Sequence, residues 1–345
     1  MSPEPEATSP RASASYPVID DTALIFEGGG MRAALTSAVV VTLIKQGIYF
    51  NWVAGVSAGA SNTANYVSRD PVRARRCFVD FAADPQFGNL RTMMAGKGLF
   101  NAEYIYENTS LPHQALPFDW DTFSNSGTRI RIPAFDAESG DLKVWTENDF
   151  PTMRDLMVRV RASSTMPVIM PPTHIDGRIY VDGALGPDGG IALSQARADG
   201  FERFFVVLTQ ERSYKKTPQR FSEFYRRYFR RHPAIADALL TRWKRYNETR
   251  EELFELEKQG KAYLFVPERM PIGNGERSLS KLAAAHRAGL TQSRQELPAW
   301  LDFLGVSTDH QTHASPDAPR PPVTPPTTCL WSRTRSQEHL SYSIT

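Results

Sequence analysis

A serine set between two glycines, Gly55-Val-Ser57-Ala-Gly59, is the part of this sequence best suited to covalent chemistry. An apolar run, Trp52-Val53-Ala54, leads into it, and small residues follow before a helix-compatible segment. That order fits a nucleophile elbow, a sharp strand-to-helix turn that lifts a serine hydroxyl above a sheet. Gly55 and Gly59 suit such a turn because the backbone there packs too closely for a side chain. A serine that attacks an ester also needs a base for its proton and donors for the oxyanion that forms. Gly28-Gly29-Gly30 lies between a short apolar run and a helix-compatible one, so its N–H groups converge near the positive end of a helix dipole. Such a loop receives a phosphate or an oxyanion. The Gly-Lys-Ser/Thr of a phosphate-binding loop is absent, and Ala33 breaks the Gly-x-Gly-x-x-Gly spacing of a dinucleotide site, which leaves the oxyanion. Arg32 either supports the loop or draws in an anionic head group.

The base is less direct. Candidate histidines are His174, His232 and His286, none of them in a strand-terminal loop. Three Asp-Gly pairs compete. Asp176 is explained by a turn, and Asp188 stands in Pro187-Asp-Gly-Gly, which is also turn chemistry. Asp182 follows the apolar arm Ile179-Tyr-Val181 and therefore sits where a strand ends. A partly desolvated carboxylate there can bond the serine hydroxyl directly and act as general base. On the residues alone, a triad using His286 and a direct Asp182 base both stand.

The elements that must position these groups read as an alternation. Thr22–Phe26 is a strand, the glycine turn follows, Ala33 to Gln46 is a helix, and the elbow has its own strand and helix. Strand, helix, strand, helix predicts a parallel sheet flanked by helices. Further on, Pro71 to Ala82 reads as a helix, and 84–126 as loop-rich. Arg129 to Phe135 and Leu142 to Thr146 read as paired strands, Thr152 to Ala162 as a helix, and His174 to Val181 as a hairpin turning at Asp176-Gly177. Ile191 to Ala198 is a short helix and Phe204 to Leu208 a buried strand. Pro218 to Gln259 reads as two helices broken before Pro233, Ala262 to Val266 as a strand, and Ser278 to Gly289 and Gln292 to Leu304 as two closing helices.

The 345 residues suffice for one large α/β domain with appendages, and 41% hydrophobic with 23% charged residues describe a globular chain with a sizeable core. A net charge of +2 carries no nucleic-acid signature. No run reaches the roughly 18–20 apolar residues of a membrane span. The opening residues lack the order of a secretory signal. The two cysteines, Cys77 and Cys329, are too few for a disulfide framework or metal site.

Taken together, Glu27-Gly-Gly-Gly-Met-Arg32, Gly55-Val-Ser-Ala-Gly59, Arg161-Ala-Ser-Ser-Thr-Met-Pro167 through Pro172, and Asp182-Gly183 resemble the patatin-like phospholipase family, in its bacterial branch with an extra C-terminal helical region. The resemblance covers roughly Asp21 to Leu208, and Lys261 through Leu304 is similar to the later part of that branch. It implies a three-layer α/β/α sandwich with a mostly parallel sheet. It also implies a Ser-Asp dyad, with Ser57 as nucleophile and Asp182 as base, and an oxyanion hole at Gly28, Gly29 and Gly30 supported by Arg32. No metal or cofactor is implied. Three positions depart from the family pattern, Ala33, Ala38 and Ala184, each where the family usually has glycine; a Cβ at 33 or 184 would narrow the substrate's approach or shift the oxyanion donors.

The expected organisation is a disordered tail over 1–16, a catalytic domain over 17–212, a mainly helical region over 213–306 packed on it, and a Pro-rich disordered tail over 307–345. The expected activity is hydrolysis of carboxylic ester bonds of lipids, of the phospholipase A or lysophospholipase kind, through an acyl-enzyme. The alternative is a catalytically weak or silent lipid-binding protein of the same fold. The partner is a lipid or acyl-ester substrate, without nucleic acid, and the expected location is cytoplasmic with peripheral membrane contact as an option. Phe221, Phe224, Tyr225, Tyr228 and Phe229 recur at helical spacing beside Arg226, Arg227, Arg230 and Arg231. Packing of that stripe on the core is the expectation, and docking on an anionic membrane the alternative.

Overall fold

A computed structural model describes residues 18–306; both expected tails lie outside the described residues. The first half alternates as predicted: β1 (Thr22–Phe26), α1 (Ala33–Lys45), β2 (Trp52–Gly55), α2 (Ala58–Val67) and α3 (Pro71–Phe78). Asp70 starts α3 by accepting from the N–H groups of Val72 and Arg73, with Pro71 in the first turn where no amide is missed. Three short helices follow, α4 (Leu90–Met94), α5 (Ala102–Glu107) and α6 (Trp120–Ser124), then β3 (Arg129–Asp136) and β4 (Leu142–Trp145). The next elements are α7 (Met153–Ser164), β5 (Thr173–Ile175), β6 (Arg178–Asp182), α8 (Leu193–Ala198) and β7 (Arg203–Val207). Last come α9 (Ser222–Tyr228), α10 (Pro233–Lys258), β8 (Ala262–Phe265) and α11 (Leu279–Leu304).

The strands form one sheet in the order β5-β6-β3-β2-β1-β7-β8, with β4 also paired to β3. β1, β2, β3, β7 and β8 are mutually parallel, while β6 and β4 run antiparallel to β3. Alternate residues of each central strand point to opposite faces. Leu24, Phe26, Val53, Phe205 and Val207 join the core beneath α1, α2, α7 and α11. Ala23, Ile25, Trp52, Ala54, Phe204 and Val206 join a second core beneath α8 and α10. Both faces being covered explains why these strands read as unbroken apolar runs. The result is a three-layer α/β/α sandwich.

Two expectations about the helices need correction. The closing region is one helix, α11, and not two. Gly289 does not end it because this glycine is the contact with α1: a Cβ there would stand 2.3 Å from the Leu35 carbonyl oxygen and 2.9 Å from the Ala38 Cβ. The helical face therefore stays buried straight through residue 289. The aromatic stripe also packs differently: Phe229 is buried and Tyr225 half-buried, but Phe221, Phe224 and Tyr228 are exposed. The seven-residue α9 lies at the edge of the fold, where only one side of it has a neighbour.

Candidate active site

β2 ends at Gly55 and delivers Ser57 into a backbone conformation with φ 58° and ψ −125°. This left-handed geometry costs a side-chain-bearing residue about 1–3 kcal/mol and persists only where the surroundings impose it. The glycines around it do so. A Cβ on Gly55 would lie 2.1 Å from the Gly59 carbonyl oxygen, and one on Gly59 2.1 Å from that of Phe26. The turn is thus clamped against the end of β1, and α2 begins at the next residue. The Ser57 N–H donates to Ser163 Oγ at 3.0 Å, and that hydroxyl donates on to the Pro133 carbonyl at 2.6 Å.

The Ser57 hydroxyl donates to Asp182 Oδ2 at 2.8 Å, and each residue is only 6% exposed. Asp182 Oδ1 accepts from the Ala184 N–H at 2.9 Å, and the Asp182 N–H donates to the Thr165 carbonyl at 2.8 Å. Both carboxylate oxygens are therefore held, one toward the hydroxyl and one toward the backbone. Burial raises the Asp182 pKa above its ordinary value, opposed by the nearby Arg242 guanidinium, the Ala184 N–H and the Ser57 hydroxyl. A desolvated carboxylate accepting from a serine hydroxyl is set to take that proton when the oxygen attacks.

The other candidates are accounted for elsewhere. Asp188 caps α8, accepting from the Ser194 N–H at 3.0 Å and its hydroxyl at 2.6 Å. Asp176, with φ 50°, makes the β5–β6 turn and is exposed. His174 is exposed and His232 stands at the start of α10. His286 is buried between α11 and α1, its Nδ1 3.1 Å from both Ser37 Oγ and the Ala34 carbonyl oxygen. Burial brings its pKa down to about 4. None of these three histidines hydrogen-bonds Ser57 or Asp182 among the described residues.

At the glycine loop, Gly28 passes against the elbow, a Cβ there meeting the Val56 carbonyl oxygen at 2.9 Å and Ser57 Cβ at 3.1 Å. The expectation that all three glycines donate to an oxyanion is corrected at Gly28, whose N–H is spent on the Gly190 carbonyl at 3.0 Å. The N–H groups of Gly29, Gly30 and Ala58 meet no protein acceptor among the described residues. Gly30 and Ala58 line the same pocket as Ser57. Ala58 went unnoticed in the sequence, although the residue after an elbow nucleophile is a usual donor position. Arg32 is half-buried, and its Nε is buried with no hydrogen-bond partner among the described residues.

Behind the loop stands α10. Glu27, buried, accepts from the Thr209 N–H and from the Tyr246 hydroxyl, the latter at 2.7 Å. Arg242 Nε donates to the carbonyls of Ala184 at 3.0 Å and Gly189 at 2.9 Å, and Arg245 reaches those of Gly186 and Leu185. One face of α10 therefore holds both the glycine loop and the chain just past Asp182. Lys216 lies over the Tyr246 ring, its Nζ 5.0 Å from the centroid. Burial, with Arg242 adding to it, brings the Lys216 pKa down to about 8.

The pocket opening at Ser57 is walled by apolar side chains, among them Phe81, Phe87, Phe100, Leu116, Met157 and Met170. Several come from the stretch that carries no readable pattern in the sequence. Arg73 also lines it, with its N–H groups on the Leu116 carbonyl, Asn65 Oδ1 and Ser110 Oγ. Ala33, Ala38 and Ala184 do not line the pocket; Ala38 faces Gly289, and Ala184 abuts Gly190.

Residues 24–193 match the family described as patatin-like phospholipase, and residues 232–305 match a domain of unknown function (DUF6363). YjjU of Escherichia coli (strain K12), itself uncharacterised, is 26% identical over 210 residues, which is 59% of this chain and 56% of that protein. The chain thus matches little more than half the length of that relative. Among solved structures, VipD from Legionella pneumophila aligns with a TM-score of 0.42 at 12% identity, over 81% of this chain and 67% of that one.

Proposed function

Because residues 24–193 belong to the patatin-like phospholipase family, we propose that this chain is a serine acyl hydrolase that cleaves carboxylic ester bonds of lipids through a Ser57–Asp182 dyad. The observation that carries the proposal is the 2.8 Å hydrogen bond from the Ser57 hydroxyl to a buried carboxylate. Ser57 Oγ attacks the ester carbonyl carbon as its proton passes to Asp182 Oδ2. The carbonyl oxygen gains the negative charge and is held by N–H groups of Gly29, Gly30 and Ala58. Collapse breaks the bond to the leaving alcohol, which takes the proton from Asp182 and departs, leaving the acyl group on Ser57. Water then attacks the acyl-enzyme with Asp182 again as base, releasing the fatty acid and restoring the hydroxyl. The dyad needs the carboxylate ionised, so turnover rises with pH through the elevated pKa of Asp182.

The apolar pocket fits the acyl chain, and a lipid substrate brings the chain to a membrane surface from the cytoplasmic side. The silent lipid-binding alternative draws on Ala33, Ala38 and Ala184, and none of the three lines the pocket. Turnover of a short-chain p-nitrophenyl ester tests the proposal. The wild type should hydrolyse it, and Ser57→Ala should abolish turnover with the fold intact by circular dichroism. An inactive wild type that still binds lipid vesicles would favour the silent alternative.

A further inference from the structure

The helix α9 carries a surface that the dyad chemistry does not use. Residues 220–231 hold five arginines against one glutamate, in a chain whose overall balance is +2. All five arginines are exposed, and the ion pair they make among the described residues is Arg226 to Asp237, at 3.0 Å. Phe221, Phe224 and Tyr228 are 70%, 51% and 54% exposed. Their rings adjoin one another: Phe224 lies 5.6 Å from Tyr228, and Tyr228 lies 4.8 Å from the buried Phe229, centroid to centroid. Phe229 anchors this row to the small core of Phe135, Val181, Leu185 and Ile235.

We propose that the outer face of α9 is a docking surface for an anionic lipid bilayer, with Phe221, Phe224 and Tyr228 entering the headgroup layer and Arg220, Arg227, Arg230 and Arg231 meeting lipid phosphates. This inference rests on the hydrolase reading for its choice of lipid over an acidic protein. Aromatic side chains that project into water beside unpaired guanidiniums match the make-up of interfacial helices, apolar on one side and basic on the other. An interface with a folded protein would need more area than one seven-residue helix offers. Position agrees with a shared task. The start of α10 packs on the β3–β4 turn, where a Cβ on Gly140 would lie 3.1 Å from that of Ala234. That turn follows the carboxyl end of β3, and β2, parallel to β3, delivers Ser57 from its own carboxyl end. α9 thus projects from the end of the sheet at which the ester must arrive.

The test is co-sedimentation of the full chain with vesicles of phosphatidylcholine alone or mixed with phosphatidylglycerol. The wild type should bind the mixed vesicles and release from them as salt rises. Each arginine near such a surface contributes about fivefold, so Arg227→Glu/Arg230→Glu/Arg231→Glu should weaken binding by on the order of a hundredfold. Phe221→Ala/Phe224→Ala/Tyr228→Ala should also lose binding, with thermal melting unchanged in both variants because the altered side chains are exposed. Wild-type failure to bind, or vesicle binding by the aromatic variant equal to the wild type, overturns the proposal; the latter result points to an acidic protein partner read by charge alone. Ser57→Ala protein should bind vesicles like the wild type. If the wild type binds through α9 yet hydrolyses no ester, the hydrolase reading fails and the docking surface stands.

Discussion

Arg242 Nε donates to the carbonyl oxygen of Ala184 at 3.0 Å, two residues beyond Asp182 and across 58 positions of sequence. The helix that carries it, α10, lies in the region matched as a domain of unknown function. This region therefore reaches the candidate active site as well as enlarging the fold. Arg242 is a positioning residue with an electrostatic reach, because its charge opposes the rise in the Asp182 pKa.

Replacing Arg242 with Gln removes that charge. The ascending limb of kcat/KM against pH should shift to higher pH, lowering the rate at any pH below the limb. Arg242→Lys keeps the charge and should shift the limb less while losing the paired carbonyl bonds. A purely structural Arg242 would lower the rate without moving the limb.

Asp182→Asn should lower kcat by on the order of 10²–10⁴-fold with the fold retained. Its effect on stability has the opposite sign. The folded-state pKa of Asp182 is raised, so between the unfolded value of 3.8 and the folded one the native state binds more protons than the unfolded state. Wild-type stability therefore falls as pH climbs through that window, where activity rises. Urea unfolding at several pH values should show a shallower fall in Asp182→Asn.

His286 is depressed to about 4 from 6.5 by burial. Between those values the unfolded state binds the proton and the native state does not, so the stability this residue contributes is present above pH 6.5 and is lost as pH falls through 4. Its removal should relieve acid lability by on the order of 2–3 kcal/mol in that window. Comparing His286→Gln with the wild type by urea unfolding at pH 7 and pH 4.5 checks this, and equal pH dependence in both would contradict it. Ester turnover in His286→Gln should persist, since the ring bonds Ser37 and Ala34.

Gly289→Ala should destabilise by about 1–3 kcal/mol, because its Cβ enters the space of the Leu35 carbonyl and Ala38. The paired change Ala38→Gly relieves only the second of those contacts and should restore part of the loss. Thermal melting of the two single variants and the double variant measures the coupling.

How much of this was legible in sequence follows from the kind of signal each part leaves. Ser57 and its glycines were readable because the elbow's steric demands fall on five consecutive residues. Asp182 stood out only as a carboxylate ending an apolar arm, and its place opposite Ser57 depends on β6 running antiparallel to β3, a pairing 48 residues apart at Ala134 and Asp182. Ser163 lies in the Arg161–Pro172 block, but its bond to the Ser57 N–H leaves no local mark, nor do Arg242 and Tyr246, since each acts on backbone or a carboxylate distant in the chain. The glycine loop read as three donors because spacing cannot reveal that Gly190 takes the Gly28 N–H. The pocket wall between Phe87 and Leu116 was unreadable because its helices, α4 and α5, are five and six residues long, too short for a helical period to repeat.

The most direct measurement is the reaction of the protein with a fluorophosphonate, mapping the adduct by mass spectrometry and timing its formation. A single adduct on Ser57, forming in step with loss of ester turnover and far more slowly in Asp182→Asn, is the expected result. An adduct on another residue, or full ester turnover by Ser57→Ala protein, would contradict the Ser57–Asp182 dyad.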